Sequence, residues 1–204
     1  DPVTDAIIAK YGTRVQTPEE ADVAIVFVDS PSSNAYSKED RENGGNGYLP
    51  ITLQYRPYTA VKAREVSIAG GDFREGFTNR SYKDKTNTAY NEADLDNILD
   101  CRKAMGDKPV IVCAAVSNPM VMHEFEKEVD AIVVEFGVSR AAVLDIVFGD
   151  YEPTGRLPIQ MPKDMDTVEM QSEDKALDME CHVDEFGNTY DYGFGLNYSG
   201  VIGK

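Results

Sequence analysis

A chain of 204 residues, 42% hydrophobic and 27% charged, carries enough apolar side chain for one large or two small domains; its composition is not that of a disordered, collagenous or disulfide-stapled chain. With 36 acidic against 20 basic residues the net charge is −16 and no Lys/Arg-rich run interrupts it, which excludes nucleic acid and anionic membrane as natural partners. The longest apolar runs, around residues 23–28 and 110–116, fall far short of the ~20 residues that cross a bilayer.

In chain order, Pro2, Val3, Ala6, Ile7 and Ala9 ahead of Gly12 predict a short helix with Pro in its first turn and Gly past its end. A brief extended piece around residues 14–16 follows. Residues 23–28, Val-Ala-Ile-Val-Phe-Val, form a continuous β-branched and aromatic run, the mark of a strand covered on both faces in a parallel sheet. Residues 29–90 are rich in Gly, Asn, Tyr and Arg without sustained periodicity. A connection of about sixty residues is far beyond ordinary loop lengths and marks a functional or a disordered segment. It leaves the carboxyl end of a buried parallel strand, the place where open α/β sheets bind ligands.

The helix–strand rhythm then returns. A helix over 92–105 places Leu95, Ile98, Leu99 and Cys101 on one side, Gly106 ends it, and a strand follows over 110–115. A short helical piece over 121–127 leads to a strand over 131–136. After Gly137, Ser139 caps a helix whose inner face is Ala142, Val143, Ile146 and Val147 and which Gly149 closes. From residue 151 onward Pro153, Pro158 and Pro162 punctuate an extended tail that wraps the body and forms no second domain. The fold class predicted is α/β: one domain over 1–204, a mainly parallel sheet flanked by helices in a three-layer sandwich, with a long loop insertion and an extended C-terminal tail.

Several residues carry candidate chemistry. Gly137-Val-Ser139-Arg-Ala141 approaches a nucleophile elbow, and Asp164, Asp166 or Asp174 with His182 would complete a serine-hydrolase order. A plain helix cap explains Ser139 equally well, and it is the preferred reading because the last glycine is Ala141. His123 and His182 have no second ligand at metal spacing, and Cys101, Cys113 and Cys181 form no CxxC, so neither a metal nor a cofactor is expected. The segment Tyr36-Ser-Lys-Glu39-Asp40-Arg41-Glu42-Asn43 sets carboxylates beside an arginine and amides just before Gly44 and Gly45. Paired carboxyls are the apparatus of glycoside hydrolysis; a solvated charged loop is the alternative.

Two longer stretches are more specific. Residues 137–158, ending Val-Phe-Gly149-Asp150-Tyr-Glu-Pro153-Thr-Gly-Arg-Leu-Pro158, and residues 192–198, Tyr-Gly-Phe-Gly-Leu-Asn-Tyr, resemble two segments of glycoside hydrolase family 3, in the same order. The strand at 23–28 and Lys108-Pro-Val-Ile-Val-Cys-Ala-Ala-Val-Ser-Asn-Pro119 are similar to that family's α/β sandwich, the second domain beside a (β/α)₈ barrel. The resemblance implies retaining hydrolysis of β-glucosides or related β-glycosides. It also implies that the barrel, with its Asp nucleophile, lies upstream of Asp1 and is a partner of this domain. The sandwich would supply the acid/base from the loop after the strand at 23–28, usually a Glu three residues before an Asp-Arg pair.

Here Asp40-Arg41 stands in place but Ser37 occupies the Glu position. Glu39 is therefore the first candidate acid/base, Glu42 the second, and Glu75 of the insertion a further one, with Asp40 and Arg41 as substrate-binding residues. A chain holding at most one member of the carboxyl pair is expected to be inert alone. The rival reading is a non-catalytic carbohydrate- or protein-binding module of the same fold. Homo-oligomerisation and the compartment, whether secreted, periplasmic or cytoplasmic, stay open.

Overall fold

The computed structural model describes residues 3–172 and 174–203. Asp1 and Pro2, which the predicted first helical turn includes, lie outside the described residues. The first helix, α1 (Asp5–Ile8), begins after Thr4, whose hydroxyl accepts the Ile7 amide. The piece at 14–16 gains no strand partner among the described residues. The strand β1 (Ala24–Asp29) follows, and the long loop then holds a one-turn helix α2 (Lys38–Glu42) and the short antiparallel pair β2 (Tyr58–Thr59) and β3 (Thr86–Asn87). Beyond it come α3 (Ala93–Met105), β4 (Val110–Ala115), β5 (Ala131–Glu135) and α4 (Arg140–Val147). The tail carries α5 (Met165–Met170) and the pair β6 (Leu196–Asn197) and β7 (Gly200–Val201).

The sheet runs β1–β4–β5, all parallel, in a register that aligns Val26 with Val112 and Val112 with Ile132. Because alternate strand residues point to opposite faces, Val26, Val28, Val112, Ala114, Ile132 and Val134 share one face. There they pack with Leu95 and Ile98 of α3 and with Met120, Phe125 and Met161. Each fully buried Val, Leu or Ile among them contributes about 1.5–3 kcal/mol by leaving water. The opposite face belongs to α1 and α4: Arg140 lies 4.9 Å over the Phe27 ring, and Tyr11 stacks on Phe148 at 4.7 Å. Lys10 reaches Asp145 at 2.5 Å and Asp150 at 2.7 Å. Helices thus cover both faces of the sheet, and the three-layer expectation holds.

Two expectations change. Residues 121–127 do not form one helix but two 3₁₀ turns, Met122–Glu124 and Glu126–Glu128, because Phe125 between them adopts φ −145° and is fully buried. The tail is not purely extended, because Asp164 caps α5 by accepting the Thr167 amide at 2.8 Å and Met165 is buried beneath it. Six residues are too few for a readable helical period. Elsewhere the tail wraps as expected. Leu157 donates to the Phe194 carbonyl at 2.7 Å, Gly193 to Leu157 at 2.8 Å and Met161 to Tyr190 at 3.0 Å. At Gly195 a side chain would collide with the Gly155 carbonyl.

Candidate functional site

The long loop is not loose: it forms a polar lobe beyond the carboxyl end of β1. Its base is a two-stranded closure in which Ser37 donates to the Gly47 carbonyl at 2.7 Å and Leu49 to Ala35 at 3.0 Å, with Tyr36 bridged to Tyr48. Between these arms sits α2. The Ser37 hydroxyl accepts the Asp40 amide at 3.1 Å, an N-cap that fixes where the helix starts. Gly47, at φ 83°, lies where a side chain would strike the Tyr36 ring.

Asp40 points back into the lobe. Its carboxylate accepts the Gly47 amide at 2.7 Å and the Lys85 ammonium at 2.7 Å, and Lys85 also reaches Asn46 Oδ1 at 2.8 Å. The Lys85 bond holds the Asp40 carboxyl below the usual carboxylate range, aided by the Gly47 amide and opposed by burial. Arg41 binds the carbonyls of Gly45 at 3.2 Å and Glu75 at 2.8 Å and lies 5.0 Å over Phe77. Both residues therefore join α2 to the segment 75–85. Glu75 is held by Arg80 at both carboxylate oxygens and by the Tyr48 hydroxyl at 3.4 Å. Asn46 donates to Asn79 at 2.9 Å and Ser81 at 2.7 Å.

Glu39 and Glu42, in contrast, are exposed on α2, and among the described residues their carboxylates have no hydrogen bond or ion pair. Of the five residues singled out in this region, Asp40, Arg41 and Glu75 are brought together by polar contacts, while Glu39 and Glu42 stay free on the outer side.

Beside the lobe, the loop leaves the sheet over a crevice of about 400 Å³ lined by Asp29, Ser30, Ser117, Glu135 and Gly137. Ser30 is buried and its hydroxyl meets that of Ser117 at 3.2 Å. The Glu135 carboxylate accepts the amides of Gly137 and Val138. Two further carboxyls escaped sequence reasoning. Glu169 of α5 accepts the hydroxyls of Tyr58 and Tyr82, both at 3.2 Å, and burial pushes its carboxyl up against the lowering effect of those bonds. Glu124 accepts the amides of Tyr55 at 2.6 Å and Arg56 at 3.0 Å and is likewise raised by burial. No local signal marks either one, since the Glu169 partners lie 111 and 87 residues away in sequence.

The serine-hydrolase residues have other engagements. Ser139 caps α4 by accepting the Ala142 amide at 3.3 Å, Asp164 caps α5, and His182 is buried against Glu126 and Tyr190. The three cysteines are free; burial lifts the Cys113 thiol to about 12 and the Cys181 thiol to about 11. Among the described residues no group of three His, Cys, Asp or Glu side chains is placed to hold a metal ion, and no helix is long and apolar enough to cross a membrane.

Comparison with known proteins bears on this geometry. The chain is 36% identical over 96 residues to beta-glucosidase C of Emericella nidulans, covering 47% of this chain and 15% of that protein. It is 28% identical over 141 residues to a putative beta-xylosidase of Formosa agariphila, covering 65% of this chain and 18% of that one. With the periplasmic beta-glucosidase of Salmonella typhimurium it shares 24% identity over 155 residues, covering 69% of this chain and 20% of that protein. The chain thus corresponds to a fifth or less of the length of these relatives. No solved structure gives a significant match. Residues 8–198 match the model of the glycosyl hydrolase family 3 C-terminal domain, which takes in β1, the polar lobe, the sheet and most of the tail; the chain belongs to that family as its C-terminal domain.

Proposed function

We propose that this domain acts within a retaining β-glycosidase, facing a (β/α)₈ barrel that carries an Asp nucleophile and supplying the acid/base from α2. The observation that carries this reading is the position of α2: within a family match over residues 8–198, it stands on the loop that leaves the carboxyl end of β1. Glu39 is the first candidate and Glu42 the second, because both carboxylates are exposed and uncommitted. Glu75 is less suited, since Arg80 occupies both of its oxygens. Asp40 and Arg41 would orient α2 and offer hydrogen bonds to sugar hydroxyls from the same turn. Retaining chemistry needs the two carboxyls about 5–5.5 Å apart across the scissile bond, so the domain alone is inert on this reading.

The substitution Glu39→Gln in the full-length protein tests the assignment. Turnover of aryl β-glucosides with poor leaving groups should fall about 10²–10⁴-fold, while activated aryl glucosides, which need little protonation, should lose far less. Unchanged turnover of the poor leaving groups by the variant would reject Glu39 and pass the test to Glu42.

One observation favours a second reading, a non-catalytic carbohydrate- or protein-binding module. At the position where the family pattern has Glu, Ser37 serves as the N-cap of α2. Calorimetry with β-linked oligosaccharides separates the two: binding by a full-length protein that shows no turnover on any β-glycoside supports the module.

A further inference from the structure

Along the edge strand β5 lies a cleft of about 1280 Å³ lined by Ile132 and Val134, by Ile146 of α4, and by Leu157, Tyr190 and Phe194 of the tail. Beside the cleft, Met161 of the tail is buried in the core. Met161, His182 and Tyr190 form a small ladder in which His182 donates to the Met161 carbonyl at 2.9 Å and Tyr190 donates to the His182 carbonyl at 2.9 Å. The His182 side chain turns inward, edge-on to the Tyr190 ring at 5.1 Å, and faces Glu126 on the second 3₁₀ turn.

His182 Nε2 and Glu126 Oε2 are 3.5 Å apart, both side chains are more than nine-tenths buried, and among the described residues neither of these two atoms has a hydrogen-bond partner. Buried polar atoms without partners are costly, so this contact is poised to change. The other ionisable groups around the imidazole are His123, Asp184 and Tyr190. Asp184 is already committed, accepting the amides of Phe186 at 3.0 Å and Asn188 at 2.8 Å and the Asn188 side chain at 2.9 Å. His123 Nδ1 meets the Lys163 carbonyl at 2.9 Å.

We propose that His182 and Glu126 form an acid-sensitive clasp: the neutral imidazole keeps residues 181–190 seated on the body, and its protonation releases them and opens one wall of the cleft. A proton arriving on His182 creates a cation with almost no water and a second imidazole nearby, faced only by the Glu126 carboxylate at 3.5 Å. Burial therefore depresses the imidazole below its ordinary range, although Glu126 and Asp184 pull the other way. The sign follows directly. The released tail takes up the proton near the ordinary value of about 6.5, and the seated tail only below its depressed value. The seated form is fully favoured above the ordinary value and is lost as pH falls through the depressed one. Each unit of depression makes opening up to about tenfold more frequent in acid.

Hydrogen exchange on the full-length protein, corrected for the intrinsic effect of pH, reads this out. Between pH 7.5 and 5 the protection of peptides spanning 181–190 should fall about tenfold or more, while a peptide spanning β4 stays protected. In His182→Gln the fall should vanish. If that variant does not fold, Glu126→Gln serves in its place: loss of the carboxylate that assists protonation should move the fall to lower pH. The clasp is overturned if tail protection in the unmodified protein is flat across this range, if β4 loses protection in parallel, if His182→Gln keeps the fall, or if Glu126→Gln leaves its midpoint where it was.

Discussion

The sheet body and the polar lobe are built by opposite means. In the body, Val112 and Ile98 are wholly buried among aliphatic neighbours, and the parallel ladder satisfies the backbone. In the lobe, the joints are Asp40 with Lys85, Glu75 with Arg80, Arg41 over Phe77 and Asn46 on the carbonyls of 79 and 81. Apolar burial is non-directional and tolerates small shifts, whereas each polar joint holds only at its own geometry. The body therefore carries the stability, and the lobe carries a fixed arrangement of charge at the edge of the sheet. Sites that need placed carboxylates belong in the second kind of structure.

The sharpest way to break this contrast is to cut into the body. Ile98→Ala removes a fully buried side chain from the face that α3 presents to the sheet. It should cost about 2–5 kcal/mol. Denaturant unfolding of the full-length protein would show a lower midpoint with an unchanged slope for the transition that includes this domain. A loss below about 1 kcal/mol would mean that the site collapses around the smaller residue and that the body is not a close-packed core.

The same contrast explains which parts of the molecule could be read from sequence. The strand at β4 falls exactly on residues 110–115, and β1, β5, α3 and α4 within a residue of expectation, because β-branched runs and the spacing of Leu95, Ile98 and Val143 record burial directly. The loop 29–90 could be recognised as an insertion but not folded on paper. Its joints pair residues such as Asp40 and Lys85, 45 positions apart, and no period or spacing announces them. Asp40 and Arg41 were legible as a motif. That they face inward, while Glu39 and Glu42 face out, depends on Gly45 and Gly47 allowing the chain to close around Asp40. The buried pair His182 and Glu126 was hidden for the same reason, because tertiary packing alone brings a tail histidine to a 3₁₀ turn.

A smaller effect is expected where the lobe is cut. Lys85→Met removes the ammonium that joins Asp40 to Asn46 and leaves that carboxylate with the Gly47 amide alone. The cost should be about 1–2 kcal/mol, that of a charged hydrogen bond at a partly solvated site. It should appear as faster exchange of amides in the lobe with little change in the global midpoint. The pH dependence has a defined sign. The depressed Asp40 carboxyl contributes stability above its ordinary value of about 3.9, and that contribution is lost as pH falls through the lowered one. The variant should flatten this acid limb. An equal acid limb in both proteins would place the coupling elsewhere.

The mildest cut tests what Ser37 does. In Ser37→Ala the Asp40 amide loses its side-chain acceptor, and the first turn of α2 should lose about 1 kcal/mol. Because α2 is only five residues long and is also held through Asp40 and Arg41, the loss should stay local, visible in exchange of the amides of α2 and absent from global unfolding. Catalysis adds a second readout. If Ser37 acts only by capping, Ser37→Ala slows poor and activated leaving groups by the same small factor, since it loosens α2 without removing a proton donor. A selective loss on poor leaving groups would instead show that the position occupied by Glu in the family pattern still faces the departing oxygen here. The acid would then act through the Ser37 hydroxyl or a water beside it, and Glu39 would have to be reassigned.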